Sequence, residues 1–207
     1  MKILVIGSTG ASGKIVVRKL LAAGHEVTAF ARNPAVVKET SAKLQVVQGE
    51  ARDAASLERA VRGHDAVMSV FGPRSLKADD LQEVLMRHLV AAMEKEGVRR
   101  LVNLSAAGAG DSRMEAPVFL RAILIPLLLQ RVYTDKERGE KILFASDLEF
   151  INVRPGRLTN QAARGMVKAQ LHGRGLHFQM TREDLADFMI AQLGSSQWVR
   201  QSPLIGY

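Results

Sequence analysis

Three glycines spaced three positions apart follow an apolar run close to the start of the chain. The run, Lys2 to Ile6, is short, rich in branched apolar residues and bounded by glycine, as is typical of a buried parallel strand. Residues 12–21 then place apolar side chains on one face of a helix, and Gly24 supplies a stop signal. The loop between them reads Gly7, Ser8, Thr9, Gly10, Ala11, Ser12 and Gly13. A strand, a glycine loop and a helix in this order predict the opening of a βαβ unit.

The same alternation of strands and helices continues along the chain. It predicts strands over 26–31, 44–47, 66–70, 100–104 and 150–153, and helices over 54–61, 81–96, 135–145 and 182–193. Parallel strands joined by right-handed helical crossovers form a doubly wound sheet, so we expect an α/β Rossmann fold with a mostly parallel sheet. The chain has 207 residues, 47% of them hydrophobic, and we expect one domain over 1–207 with small substrate-covering elements near its C-terminal end. The pattern between Gly156 and Thr181 is ambiguous.

The context of the glycine loop predicts a dinucleotide site. Glycine permits a tight turn and a close approach of the backbone to a pyrophosphate, and the helix N-terminus offers free N–H groups. The residues after the second strand distinguish the two nicotinamide cofactors. An NAD site has a carboxylate there for the ribose 2′-hydroxyl, whereas this chain has Arg32 followed by Asn33. A guanidinium pairs with a 2′-phosphate, so the sequence favours NADPH, with Ser8, Thr9 and Lys14 as further phosphate contacts.

Six segments carry the pattern of a known family. They are residues 7–13, Ala31-Arg32-Asn33-Pro34, Gly63 to Val67, Leu104-Ser105, Val153 to Thr159, and Thr181 to Met189. Together they resemble the atypical short-chain dehydrogenase/reductases of the NmrA-like, NAD(P)H-binding kind, which include the flavin reductase/biliverdin-IXβ reductase family. The resemblance covers nearly the whole chain.

The resemblance implies cofactor contacts for residues beyond the glycine loop. It implies an adenine contact near Glu50, nicotinamide-ribose contacts near Phe71, Gly72 and Ser105, and a lid after Pro155. The remaining residues expected at the cofactor are Lys136, Arg154, Pro155 and Gly156. Glu50 equally suits a loop residue or a partner for Arg52. Ser105 follows a central strand at the edge of the sheet where ligands bind, although a serine there can also cap a helix.

The chain departs from the family pattern at two catalytic positions. Typical short-chain dehydrogenases pair a tyrosine with a lysine one helical turn later, so that the ammonium lowers the pKa of the phenol. Here Lys136 matches the lysine, Val132 stands at the tyrosine position, and Tyr133 is one residue out of place, which suits a packing aromatic as well as an acid. The biliverdin-reducing relatives are expected to have a histidine shortly after the sixth strand, where this chain has Gly156 and Arg157. This departure disfavours tetrapyrrole reduction more than flavin or quinone reduction.

Composition narrows the remaining function classes. The chain has no cysteine, and its 5 histidines show no ligand-like spacing, so we expect no metal site. The net charge of +8 is spread along the chain and only 5% of residues are aromatic, so we expect no nucleic acid partner. The most apolar stretch, 117–129, is interrupted by Arg121 and Pro126 and is too short to span a bilayer, although it suits an amphipathic surface helix. We expect a cytoplasmic monomer or homodimer without a membrane partner.

These observations predict an NADPH-dependent reductase that passes hydride to a flavin, quinone or related small electron acceptor. Ser105 would hydrogen-bond the substrate or the carboxamide, and Lys136 would hold ribose or a substrate oxygen. Arg154 or Arg157 would offset developing negative charge, and apolar residues of 117–129 would wall the pocket. The alternative is a protein that binds NADP(H) as a sensor without turnover, which the missing tyrosine supports. A nucleotide-sugar epimerase or dehydratase is disfavoured, since it needs the tyrosine–lysine pair.

Overall fold

The fold is built around one twisted sheet with helices on both faces. The computed structural model describes residues 1–72 and 80–207. Within them the strands are β1 (Lys2–Ile6), β2 (Glu26–Ala31), β3 (Leu44–Gln48), β4 (Ala66–Ser69), β5 (Arg100–Leu104), β6 (Glu149–Pro155), β7 (Arg157–Thr159), β8 (Lys168–Gln170), β9 (Gln179–Thr181) and β10 (Leu204–Gly206). Among these residues, eight strands form the main sheet in the order β3-β2-β1-β4-β5-β6-β10-β8. All neighbouring pairs are parallel except β10 and β8. The expected doubly wound Rossmann sheet is confirmed.

Two helical layers cover the sheet. The helices are α1 (Ala11–Ala22), α2 (Ala54–Val61), α3 (Leu81–Glu96), α4 (Gln130–Ala145) and α5 (Arg182–Ala191). α1 and α5 bury Val16, Leu20 and Met189 against one face of the sheet. α2, α3 and α4 cover the other face, where Leu89 and Leu143 are fully buried. Thr181 caps α5 and α3 ends at Gly97 in the left-handed region, and Asp53 caps α2. α4 differs from its predicted bounds, since it begins at Gln130 and not at Asp135.

The order in which strands are added to the sheet changes direction at β1, and this change determines where the candidate site lies. From β1 the chain steps to β2 and β3 on one side and later to β4, β5 and β6 on the other. The connections after β1 and β4 therefore diverge and leave a crevice at the carboxyl edge of the sheet, where dinucleotides bind in this class of fold. The loop after β1 is the glycine loop, and Ser105 follows β5 at the same edge.

The C-terminal quarter contains the stretch whose sequence pattern was ambiguous. β7 and β9 form a small parallel ladder apart from the main sheet, while β8 and β10 extend the main sheet beyond β6. No sequence pattern had indicated β8, β9 or β10. Each has only three residues, which is too short for a period-2 pattern to stand out.

Asp184, in the first turn of α5, ties several of these segments together. This carboxylate is 1% exposed and accepts hydrogen bonds from the hydroxyls of Thr181 (2.8 Å) and Tyr207, and from the backbone N–H groups of Arg164 (2.8 Å) and Gly165 (2.9 Å). Burial acts to raise its pKa, but these hydrogen bonds outweigh burial and lower the pKa from 3.8 to about 2. The buried charge therefore fixes the segment after β7 and the last residue onto α5.

The apolar stretch 117–129 forms a π-helix, Leu120–Leu129, directly before α4. Its inner side packs Ile125 beside Ala109 and Tyr133. Its outer side leaves Phe119 59% and Leu127 75% exposed. In the parts of the chain that the structure describes, no helix has the length and apolar character needed to cross a membrane.

Candidate dinucleotide site

Two glycines of the loop are required by the packing of the protein itself. Gly7 has a positive φ of 82°, and a Cβ there would lie 2.9 Å from the backbone N and Cα of Phe71, at the end of β4. A Cβ on Gly13 would overlap the Gly7 carbonyl and lie 2.9 Å from the carbonyl carbon of Ser8. These two glycines therefore allow the loop, α1 and the end of β4 to meet at backbone distance.

The third glycine leaves open space above the loop. Gly10 is the N-cap of α1 with an extended backbone, and in the described part of the chain a Cβ there would meet only the Gly7 carbonyl oxygen, at 3.3 Å. Among the described residues no side chain caps this helix, and its first turn carries no acidic residue. The first N–H groups of a helix have no partner within the helix, and the Ser8 hydroxyl is occupied as a donor to the Phe30 carbonyl at 2.9 Å. The loop thus offers backbone donors, open space and a positive dipole end, which fits a pyrophosphate.

A small cavity lies beside the loop, toward the segment after β2. Its walls are formed by Ser8, Thr9, Lys14, Val17, Val36, Val37, Lys38 and Glu39. Arg32 follows β2 directly and is exposed, and its guanidinium has no ion pair among the described residues. Asn33 shapes the turn that follows, since its Oδ1 accepts a hydrogen bond from the Ala35 N–H at 3.1 Å. The walls of this cavity therefore carry two cations, Lys14 and Lys38, and one acid, Glu39.

The residues expected at the adenine and nicotinamide ribose lie along the crevice. Glu50 is exposed directly after β3, while Arg52 pairs with Asp80 at 2.6 Å. Phe71 is partly buried, and its carbonyl accepts a hydrogen bond from the Gln82 side chain at 3.2 Å. Gly72 is exposed, and no atom of the described residues lies within 4 Å of the place where its Cβ would be. Glu50 and Phe71 thus follow β3 and β4 at the carboxyl edge of the sheet.

Ser105 belongs to a buried polar cluster centred on Glu140 of α4. Its hydroxyl donates to Glu140 Oε1 at 2.6 Å. The same oxygen accepts from Asn152 Nδ2 at 2.8 Å, and Arg154 donates to Oε2 at 2.7 Å. Arg154, which we expected to contact cofactor or offset developing charge, is 2% exposed and pairs with both Glu140 and Asp111. Its charge is thus compensated within the fold.

Lys136 and Tyr133 lie on the same helix as Glu140 but differ in surroundings. Burial lowers the pKa of the Lys136 ammonium, and the nearby carboxylates of Glu140 and Asp135 oppose this only in part. The Tyr133 hydroxyl donates to the Ala107 carbonyl at 3.0 Å, and burial raises the pKa of this phenol, with Arg113 acting weakly in the other direction. Tyr133 is a packed aromatic here, one of the two roles that its sequence position allowed.

The residues after β6 connect the site to the C-terminal segments. Pro155 is buried, and its carbonyl accepts a hydrogen bond from the Ala107 N–H at 2.8 Å. Gly156 passes so close to Phe178 that a Cβ would lie 2.8 Å from the Phe178 Cα. Arg157 is exposed on β7. This arrangement brings Ser105 and the end of β6 together, and it leaves Arg157 as the solvent-facing cation of that segment.

Three residues of this region were not indicated by the sequence pattern: Lys38, Asp111 and Glu140. Glu140 lies one helical turn after Lys136 in the predicted helix, and Asn152 and Arg154 alternate on a buried strand. This spacing marks Glu140 as a neighbour of Lys136 on the helix, but it does not indicate the pair with Arg154, which lies on a different element. Lys38 and Asp111 lie in irregular segments, where spacing carries no such information.

Comparison with known proteins supports the cofactor assignment. Residues 7–196 match the family model described as NAD(P)H-binding. A (4-alkanoyl-5-oxo-2,5-dihydrofuran-3-yl)methyl phosphate reductase of Streptomyces griseus is 41% identical over 103 residues. That match covers 50% of this chain and 34% of the relative, so the chain spans only about a third of that protein.

Solved structures with the same fold extend the comparison to the whole chain. ChuY, described as an anaerobilin reductase of Escherichia coli O157:H7, has a TM-score of 0.84 and 24% identity, and the match covers 100% of this chain and 97% of that one. A short-chain dehydrogenase/reductase of Veillonella parvula in complex with NADP has a TM-score of 0.81 and 20% identity, over 100% and 94% of the two chains. At these identities the likeness establishes the fold.

Proposed function

Because the chain belongs to the NAD(P)H-binding family, we propose that it is an NADPH-dependent reductase that passes hydride to a flavin, a quinone or a related small acceptor. When bound, NADPH supplies the hydride from its nicotinamide ring. The residues of the chain bind and orient the two partners and exclude water between them.

The glycine loop and the cations near it support the part of this proposal that names NADPH as the cofactor. The space at Gly10, the uncapped start of α1 and the absence of an acid in its first turn suit a pyrophosphate. Lys14 and Lys38 line the cavity beside the loop and Arg32 follows β2 directly, and these cations support NADPH over NADH because a 2′-phosphate adds negative charge. Glu39 opposes this preference, but it is a single acid beside them.

The surroundings of the two tyrosines support a flavin or a quinone as the electron acceptor. Tyr133 donates its hydroxyl hydrogen to the Ala107 carbonyl, and Tyr207 donates to Asp184. Neither phenol is available as the acid that typical short-chain dehydrogenases use for carbonyl compounds. A flavin or quinone ring accepts hydride directly and can take its proton from water, so it needs position more than a protein acid.

The names of similar proteins agree with a reductase. The Streptomyces griseus relative and ChuY are both called reductases, and they act on dissimilar molecules according to those names. The fold therefore accommodates more than one acceptor, and the acceptor of this chain has to be found by experiment.

The test is a comparison of acceptors with wild-type protein. NADPH oxidation is measured by absorbance with FMN, with a soluble benzoquinone and with an aromatic aldehyde, and NADPH binding is measured separately by calorimetry. We expect turnover with FMN or the quinone and at least about a hundredfold lower kcat/KM with the aldehyde. Binding without oxidation by any acceptor would replace the reductase with the sensor, and preference for the aldehyde would overturn the acceptor class.

A further inference from the structure

The outer side of the segment 117–129 is an exposed apolar surface. Its large exposed side chains, which we call the apolar face, are Val118, Phe119, Ile123, Leu127 and Leu128. Exposed apolar residues normally lie singly on a protein surface, and a contiguous group marks an interaction site. A helix that is apolar on all sides is normally buried on all sides. The inner side of this helix is buried against the protein, so the apolar face suits a second apolar environment outside it.

The charged residues within this segment are all cations. Residues 116–134 contain Arg121 and Arg131 and no acidic residue. Arg131 is exposed directly after the π-helix, in the first turn of α4. Arg121 is partly exposed and donates to the Met114 carbonyl at 3.3 Å. Large apolar side chains accompanied by cations are the pattern of helices that lie in the interface of a lipid bilayer.

A second segment without acids lies against the start of this one. Residues 150–182 contain six Arg or Lys residues and no acidic residue. The Gly173 N–H donates to the Glu115 carboxylate at 2.7 Å, and Arg174 and Glu115 border the same surface cavity. Arg174 is therefore held near the start of the apolar segment, and the cationic surface extends beyond the helix.

The acids at both ends of the apolar segment are engaged by the fold. Glu115 accepts the hydrogen bond from Gly173 at one end. At the other end Asp135 is buried and accepts from the backbone N–H groups of Gln82 (2.9 Å) and Glu83 (3.0 Å). The cations beside the apolar face therefore set its charge, and they favour an anionic surface as its partner.

We propose that the apolar face docks on an anionic lipid bilayer. Phe119, Leu127 and Leu128 enter the headgroup region, while the nearby arginines lie beside lipid phosphates. A bilayer supplies an apolar phase and negative charge at the same surface, and both features of this region match it. The inference goes beyond the proposed function, which requires no membrane. It also replaces the expectation from the sequence that the chain has no membrane partner.

A second copy of the chain fits the same surface less well. A symmetric dimer places the same surface on both sides of its interface. Arg121 and Arg131 would then face identical cations, and residues 116–134 offer no carboxylate to pair with them. Each copy also carries a net charge of +8. Repulsion between like charges therefore disfavours this dimer and favours an anionic partner.

Vesicle sedimentation tests the proposal with the full chain. The vesicles consist of phosphatidylcholine alone or of phosphatidylcholine mixed with phosphatidylglycerol, which is anionic. We expect wild type to bind the mixed vesicles at least about tenfold more strongly than the neutral vesicles at low salt. High salt should remove most of this difference, because mobile ions screen the attraction.

Variants separate the apolar contribution from the charged one. The double variant Leu127→Gln, Leu128→Gln keeps the charge but removes two exposed apolar side chains, so it should bind the mixed vesicles at least about tenfold more weakly. Arg131→Gln should bind them about fivefold more weakly and leave binding to neutral vesicles unchanged. The controls are Phe144→Gln, at the opposite end of α4, and Arg99→Gln, directly before β5, which alter an exposed aromatic and an exposed arginine away from the apolar face. We expect both controls to bind within about twofold of wild type, and thermal unfolding establishes that each variant is folded.

The outcomes distinguish a bilayer from a second copy. Absence of wild-type binding to the mixed vesicles at low salt overturns the proposal, and so does equal binding to both kinds of vesicle. Binding that the leucine double variant leaves unchanged overturns the role of the apolar face. If ultracentrifugation shows a wild-type dimer that the double variant converts to a monomer, and wild type binds no vesicles, the apolar face is assigned to a second copy. Calorimetry with NADPH and no vesicles tests the proposed function separately, so either result stands without the other.

Discussion

Replacing Gly10 by alanine separates cofactor binding from folding. The backbone at Gly10 has a φ of −74°, which any residue adopts, and among residues 1–72 and 80–207 a new methyl group meets only the Gly7 carbonyl oxygen, at 3.3 Å. Alanine is a poorer N-cap than glycine, but it also reduces the freedom of the unfolded chain. These terms oppose each other, and we expect the free energy of unfolding to change by less than about 1 kcal/mol.

Gly13→Ala is the matched control three residues later. Its methyl group would overlap the Gly7 carbonyl and lie 2.8 Å from the Gly7 carbonyl carbon, which is backbone that cannot rotate away. Overpacking of this kind costs about 1–3 kcal/mol or more. We therefore expect Gly13→Ala to lower the free energy of unfolding clearly, in contrast to Gly10→Ala.

Gly10→Ala should weaken NADPH binding clearly, although it should leave the free energy of unfolding almost unchanged. Its methyl group occupies the space where a pyrophosphate approaches the first N–H groups of α1, so NADPH should bind at least about tenfold more weakly, a loss of about 1.4 kcal/mol. Urea unfolding and calorimetric titration with NADPH on wild type and both variants measure the two effects. If folded Gly10→Ala binds NADPH as wild type does, the loop is an ordinary turn and the assignment of the site fails.

Three further predictions concern single side chains. Arg32→Ala should weaken NADPH binding at least about tenfold while NADH binding changes less than about twofold, because only NADPH carries the 2′-phosphate; an unchanged preference in calorimetry would remove Arg32 from the site. Tyr133→Phe should keep NADPH oxidation within about threefold of wild type and lose about 1 kcal/mol of stability, since its hydroxyl bonds to Ala107; a loss of activity of about a thousandfold would make it the catalytic acid. The folded-state pKa of Asp184, about 2, lies below the ordinary 3.8, so this carboxylate stabilises the fold above about pH 4 and the contribution is lost as pH falls toward 2. The shift corresponds to about 2.5 kcal/mol, and urea unfolding of Asp184→Asn should show a flatter pH dependence over that range, whereas an unchanged slope would contradict the origin of the pKa.

The order of strands and helices was predictable because local patterns and tertiary contacts agree in the first half of the chain. The strand over Lys2–Ile6 and the helix over Leu81–Glu96 have the bounds that their apolar pattern and their glycine stop signal indicate. α4 begins earlier than its polar pattern suggested, at Gln130, because it continues the π-helix before it. The apolar stretch predicts a helix but not the wider turn, which depends on how Ile125 packs.

The geometry of the glycine loop was predictable for a related reason, and the polar cluster was not. The glycine spacing reports backbone geometry directly, since Gly7 and Gly13 each meet another backbone segment. From the sequence we interpret Arg154 as a positive charge near the pocket, because its partner Glu140 lies on a different element and cannot be identified from spacing. Only the packing of α4 against β6 turns it from an active-site cation into a buried ion pair. A side chain's role in a site therefore depends on long-range partners that local spacing does not reveal.

The contact between Gly7 and Phe71 has a consequence for the order of folding. The glycine loop is a short continuous segment, yet its shape requires the residues just after β4, which are synthesised after β2, β3 and α2. A nascent chain that has released only β1, α1 and β2 lacks that support. The loop-closure entropy of pairing β4 with β1 must be overcome before a ligand can contribute. The cofactor therefore stabilises the finished domain by mass action and cannot act as a template for its first folding steps.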